Sequence, residues 1–141
     1  VTSNTTSYPD KLRALGNKVS EFEGFDRISA PKLVTNITLK SEELIAFCPV
    51  TGQPDFYSVQ VAYRPDKWIV ETKTFKLYLG SYRDQGIFAE VLAAKIASDI
   101  GVALEAREVI VYLTQKARGG VTTDVIAHWT KKEDGNDLQP G

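Results

Sequence analysis

Between residues 57 and 63 the side chains change character at every step. Tyr57, Val59, Val61 and Tyr63 alternate with Ser58, Gln60 and Ala62. A two-residue period of this kind belongs to a strand with one face buried and the other in water. It returns in Val109, Val111 and Leu113, and again in Val121, Thr123, Val125, Ala127 and Trp129. Residues 33–39 carry β-branched side chains in a similar pattern, which predicts a first strand there. Arg64-Pro65-Asp66 reads as a turn, after which Trp68 to Val70 resumes extended structure.

Strands with one apolar face need cover, and two helical stretches supply it. A helix is expected over residues 74–83, with Thr72 or Thr74 as its cap. Gly86 breaks the pattern. A second helix fits residues 88–100, where Leu92, Ile96 and Ile100 recur at spacing four, and Gly101 is its expected stop. The order strand, strand, helix, helix, strand, strand predicts an α+β domain, an antiparallel sheet with two helices on one face. The other face cannot bury itself in so small a chain. Joining several such sheets into a ring would cover faces and edges together, so a homo-oligomer is expected.

The chain has 141 residues, which suits one domain. Residues 1–30, polar at the start and interrupted by Pro9, Gly16 and Gly24, read as a flexible N-terminal arm. Residues 31–130 form the domain, and residues 131–141 a disordered tail. The formal net charge of −1 gives no basic surplus for nucleic acid as a standing partner. No apolar run approaches membrane-spanning length and no leader is evident, so a soluble cytoplasmic protein without a membrane partner is expected. A single cysteine, Cys48, excludes an intramolecular disulfide. With a single histidine, His128, it also argues against a metal site of the usual zinc kind.

Cys48 opens a Pro- and Gly-containing loop, Cys48-Pro49-Val50-Thr51-Gly52-Gln53-Pro54-Asp55. On a loop held by rigid neighbours its thiolate would be the best nucleophile in the chain. Taken alone, a buried cysteine is more often a small hydrophobe. Asp55, just before a strand, could deliver a proton to a nitrogen created by the attack, or could be an ordinary turn aspartate. Lys73 and Lys76 lie three apart at a helix start, a fair place for an anion and equally for two solvated lysines. Glu71 precedes that helix and Glu90 opens the next, where carboxylates commonly complement the helix dipole. Glu90 could instead accept two hydrogen bonds from a purine-like edge, with Phe88 stacking on the ring. Arg118, before two glycines, could reach a phosphate or serve as a hairpin charge. His128 falls on the outward phase of the last strand and is given no catalytic role.

Together these segments resemble the QueF family, the NADPH-dependent 7-cyano-7-deazaguanine reductases of the tunnelling fold, over residues 42–129. Cys48 to Phe56 looks like the family's nucleophile segment, Glu71 to Tyr78 like its signature, and Arg118-Gly119-Gly120 has a counterpart. The resemblance implies a tunnelling fold (ββααββ) assembled as pentamer rings or a decamer, with sites between subunits. It implies that Cys48 forms a covalent thioimide with the nitrile of 7-cyano-7-deazaguanine and that Asp55 supplies protons. Val70, Glu71, Thr72, Phe88, Ala89 and Glu90 match the substrate-binding positions. Lys73, Lys76 and Arg118 match those thought to meet the phosphates of NADPH, two molecules of which reduce the nitrile to 7-aminomethyl-7-deazaguanine. Thr72 and Thr74 depart only slightly from the signature. Ala89 stands where many members have histidine, and loss of an assisting acid–base group costs about 10²–10⁴-fold in rate. Two alternatives follow: a QueF-like amidine-forming transferase that adds ammonia without NADPH, and a non-catalytic deazapurine-binding protein.

Overall fold

The computed structural model describes residues 21–132. Its elements run β1 (Arg27–Ser29), β2 (Ile37–Phe47), β3 (Pro54–Arg64), β4 (Trp68–Val70), α1 (Thr72–Gly80), a 3-10 turn (Ser81–Asp84), α2 (Ala89–Leu104), β5 (Glu108–Arg118) and β6 (Val121–Thr130). The four long strands form one antiparallel sheet in the order β2-β3-β5-β6. β1 and β4 form a separate antiparallel pair. The expected alternation holds. Tyr57, Val59, Val61 and Tyr63 of β3, Val109, Val111 and Leu113 of β5, and Trp129 of β6 are buried in one core. That core also takes Leu92, Ile96, Ile100 and Leu104 from α2 and Phe75, Tyr78 and Leu79 from α1, so both helices serve the same apolar body. Among the described residues, no helix is long and apolar enough to cross a membrane.

Four expectations need correction. The strand expected over residues 33–39 is β2, which starts at Ile37 and runs to Phe47. Leu33 is 97% exposed and has φ 77°, a left-handed conformation that no strand accommodates. The true strand was masked by a register shift between Ser41 and Leu44, which leaves both Glu42 and Glu43 exposed before Leu44 and Ala46 return to the core. An irregularity of this kind erases a two-residue period from the sequence while leaving the strand intact.

The first helix begins at Thr72 and its cap is Glu71, whose Oε1 accepts from the Thr74 N–H and Oε2 from the Lys73 N–H, each at 2.9 Å. Thr74 is therefore inside the helix, its hydroxyl donating to the Glu71 carbonyl at 2.8 Å. The helix gives way at Gly80 to the 3-10 turn, short of Arg83. Gly101 does not stop the second helix, which continues to Leu104 and ends at Glu105 in the left-handed conformation. Glycine stands at 101 because a Cβ there would overlap the Trp129 ring. Helix and last strand touch at that point.

Residues 21–30, assigned to a flexible arm, are built into the fold. Arg27, Ile28 and Ser29 pair with Val70, Ile69 and Trp68. Asp26 is fully buried, its N–H donating to Thr74 Oγ1 at 3.2 Å and its carbonyl accepting from the Glu71 N–H at 2.9 Å. The entry to α1 is thereby held from the N-terminal side. The rest of the expected arm, residues 1–20, and tail residues 133–141 lie outside the described residues. His128 is exposed as expected, 2.7 Å from Glu108 Oε2.

Candidate active site

The turn from β2 to β3 carries Cys48, and its shape follows from its residues. The Cys48 N–H donates to the Gln53 carbonyl at 2.8 Å, and the Gly52 N–H returns to the Cys48 carbonyl at 2.9 Å. Gly52 takes φ +73°, which a side chain would resist. The Thr51 hydroxyl oxygen accepts from the Gln53 N–H at 3.2 Å. The loop is thus closed on itself by main-chain bonds, with Cys48 half-buried at its base.

Hydrogen bonds from the Thr51 side chain, then from the Thr51 and Val50 backbone, lower the Cys48 thiol from 9.0 to about 7, with Arg118 adding a smaller contribution. Each favours the thiolate, so near neutrality a large fraction of this sulfur is ionised.

Asp55 is the second residue of β3 and is 3% exposed. A buried carboxylate needs a partner. It has one in Arg118, whose Nη1 lies 2.5 Å from Asp55 Oδ1. Arg118 ends β5 beside a register shift and leads into Gly119 and Gly120, both at positive φ, the geometry of a tight hairpin. The β3–β5 register reaches Tyr57 opposite Gln115, so the strand end beside Asp55 meets the hairpin that carries Arg118. The Arg118 guanidinium is held charged by its hydrogen bond with Cys48 and by the Asp55 charge.

The third component arrives through the backbone. The Phe47 N–H donates to the Gln85 carbonyl at 2.8 Å and the Ile87 N–H to the Phe47 carbonyl at 3.0 Å, which clips residues 85–87 alongside the end of β2. Gly86 packs against Pro49, close enough that a Cβ at residue 86 would lie 3.6 Å from Pro49 Cα. Helix α2 starts two residues after Ile87, with Ala89 buried and Glu90 exposed in its first turn. Phe88, at the N-cap, is 51% exposed.

Tyr57 links these parts. Its side chain is fully buried, and among the described residues its hydroxyl has no hydrogen-bond partner. Burial, together with the charges of Asp55, Glu90 and Cys48, pushes its phenol up to about 12, while Arg118 acts in the opposite sense. The charges of Cys48, Asp55, Glu90 and Arg118 are therefore all felt at this one hydroxyl.

The remaining predicted site residues gather at the junction of β4 and α1. Val70 is buried and Glu71 spends both carboxylate oxygens on the helix cap. Thr72 and Lys76 line a groove of about 380 Å³ with Lys40, Glu43 and Arg83, beside the stretch of β2 upstream of Cys48. Lys73 is half-buried and does not line that groove. The structure brings Arg118 to Cys48 and Asp55, a partnership not anticipated from the sequence. Two contributors were missed altogether: Thr51, whose hydroxyl activates the thiol, and Tyr57, read only as strand core. The signal that could have found Tyr57 was its place two residues after Asp55, on the same face of the same strand.

Comparison with known proteins gives the family. Residues 54–134 match the family model described as QueF-like protein. An NADPH-dependent 7-cyano-7-deazaguanine reductase from Thermomicrobium roseum is 39% identical over 112 residues, covering 78% of this chain and 88% of that protein. Another, from Syntrophus aciditrophicus, is 41% identical over 95 residues, covering 67% of this chain and 68% of that protein. Among solved structures, the archaeosine synthase QueF-Like in its apo form aligns with a TM-score of 0.64 at 26% identity, over 70% of this chain and 94% of that one. The family model spans more than half of the sequence, and the reductases align over most of their own length: this chain belongs to the QueF-like protein family.

Proposed function

We propose that this protein reduces the nitrile of 7-cyano-7-deazaguanine to 7-aminomethyl-7-deazaguanine, with two NADPH, through a thioimide on Cys48. The observation that carries the reading is the thiol lowered to about 7 beside a buried Asp55 paired with the more exposed Arg118, with residues 85–87, just before α2, hydrogen-bonded to Phe47 beside it. The names of the reductase relatives support the substrate and the cofactor.

A nitrile is a poor hydride acceptor, and covalent addition changes that. The Cys48 thiolate forms a bond to the nitrile carbon. One π pair moves to nitrogen, which takes a proton, leaving an electrophilic C=N. Asp55 relays that proton and the one that follows, so two protons and two hydrides convert nitrile to amine, and the thiolate leaves as the C–S bond breaks. Glu90 accepts hydrogen bonds from the deazaguanine edge, and the exposed Phe88 covers the ring. NADPH, when bound, supplies the hydride for each reduction. Lys76, Lys40 and Arg83 in the groove beside α1 suit its phosphates, and Lys73 adjoins them at the helix start.

That groove and the Cys48 cluster lie along different parts of β2, an arrangement that suits a site completed by a second copy of the chain. Rings formed through the outer edges of β2 and β6 would bring the two halves together and cover Tyr112 and Ile126, which are exposed on the outer face.

Incubation of the protein with nitrile alone should add the mass of the intact nitrile to the wild-type chain and nothing to Cys48→Ala. With NADPH, two equivalents should be oxidised per amine formed. Absence of any adduct on the wild-type protein rules the reading out. A second reading, addition of ammonia to the thioimide to give an amidine, is favoured by Ala89 and by the likeness to the archaeosine synthase. It predicts the same adduct, no NADPH oxidation, and product release that requires ammonia.

A further inference from the structure

We propose that the Tyr57 hydroxyl is a third catalytic group, donating a hydrogen bond to the nitrogen of the nitrile as Cys48 adds to its carbon. The assignment rests on the thioimide reading above and extends it to a residue that the resemblance did not include.

The argument starts from an unmet requirement. Tyr57 is fully buried, and its hydroxyl is left without a partner among the described residues. Buried polar atoms in native proteins are nearly always satisfied, so an exception calls for an explanation, a bound ligand among them. The other tyrosines of the core show the usual arrangement. The Tyr78 and Tyr82 hydroxyls lie 2.8 Å apart with Asp99 completing the network, and the Tyr63 hydroxyl accepts from the Val70 N–H at 3.2 Å. Tyr57 differs from them in its surroundings. It follows Asp55 by two residues on the buried face of β3, opposite Leu44, while Asp55 stands opposite Ala46 near the strand end that carries Cys48.

The chemistry of the neighbours then selects what the hydroxyl does. Asp55 and Glu90, when ionised, can only accept. The guanidinium of Arg118 is engaged with Asp55 and Cys48. Ala89 offers a methyl group. When the thiolate adds to the nitrile, a π pair moves onto nitrogen, and that developing charge calls for a donor. Tyr57, whose hydroxyl feels the charges of Asp55, Glu90, Arg118 and Cys48 and has no partner of its own among the described residues, is the donor left to provide one. Its phenol, pushed up to about 12, keeps its proton throughout the neutral range, so it acts as a fixed donor and not as a base. The proton that ends on nitrogen is relayed by Asp55; Tyr57 retains its own, and the bond count is unchanged by its presence.

The test is Tyr57→Phe in the full chain, which removes one oxygen atom. Three measurements are made on it beside wild type: thermal unfolding, affinity for 7-deazaguanine (which lacks the nitrile), and the rate of thioimide formation by intact mass. The expected results are an unfolding temperature at or above wild type, since no protein hydrogen bond is lost, and 7-deazaguanine affinity within about twofold. Thioimide formation should fall by about 10²-fold, the scale on which loss of one donor to a developing charge is felt. An adduct rate equal to wild type overturns the assignment and leaves the thioimide reading standing. An unfolding temperature well below wild type overturns it too, because the hydroxyl would then serve a protein partner. Failure of the wild-type protein to form any adduct overturns the thioimide reading itself, and this assignment with it.

Discussion

Replacing Thr51 by valine tests the origin of the reactive sulfur. The side chain of Thr51 is the largest of the influences that bring Cys48 from 9.0 to about 7; the Thr51 and Val50 backbone groups and Arg118 contribute the rest. Because the lowered value favours the thiolate, alkylation of the wild-type protein should rise with pH through a midpoint near 7. Loss of the Thr51 hydroxyl should move that midpoint upward, to a position between the two limits, since the other donors remain. The limits fix the scale. At pH 7 a thiol at about 7 is roughly half ionised and one at 9.0 is ionised to about 1%, a ratio of about 50. A more basic thiolate is also more nucleophilic, by about eightfold over two units, which reduces the largest loss of rate at pH 7 to about sixfold. Above pH 9 the order should reverse, with the variant reacting at least as fast as wild type. Iodoacetamide labelling followed by intact mass, as a function of pH, gives both midpoints. Thr51 is exposed, so the fold is expected to survive the change. An unchanged midpoint in Thr51→Val would refute the argument, and a wild-type midpoint near 9 would remove its premise.

Gly101→Ala should destabilise the protein by about 1–3 kcal/mol in chemical denaturation, because the added Cβ meets the Trp129 ring, which belongs to the packed core. A stability equal to wild type would show that helix and strand can separate at no cost. Glu71→Ala removes the acceptor for two N–H groups at the start of α1 and should cost about 1 kcal/mol, read as a lower unfolding temperature.

The sheet was legible because most of its strands obey a simple period. β3, β5 and β6 keep it without interruption over their inner residues, and solvent on one side with helices on the other maintain it physically. β2 was not legible, because the shift between Ser41 and Leu44 leaves two glutamates exposed in succession. Helix ends were misjudged where tertiary contacts overrode local preference. Glycine at 101 reads as a stop when the chain is considered alone, and as a site of close approach once Trp129 is above it. Of the site, Cys48 and Asp55 could be singled out as chemical types on a loop and at a strand start. Their union through Arg118 could not, since it depends on a strand register 63 positions away in the chain. Tyr57 escaped notice for a related reason. A tyrosine at an inward position satisfies the apolar pattern, and only the structure shows that its hydroxyl is unserved.

The two main-chain hydrogen bonds between Phe47 and residues 85–87 have a mechanical consequence. They make the spacing between the Cys48 backbone and the start of α2 a property of the skeleton, leaving only the Cys48 rotamer to place the sulfur. Nucleophile and helix must travel together if either moves. A ligand anchored at the helix end is thereby presented to the Cys48 loop at a constant reach, and inserting a residue between Ile87 and Ala89 would disturb that reach without altering any reactive group.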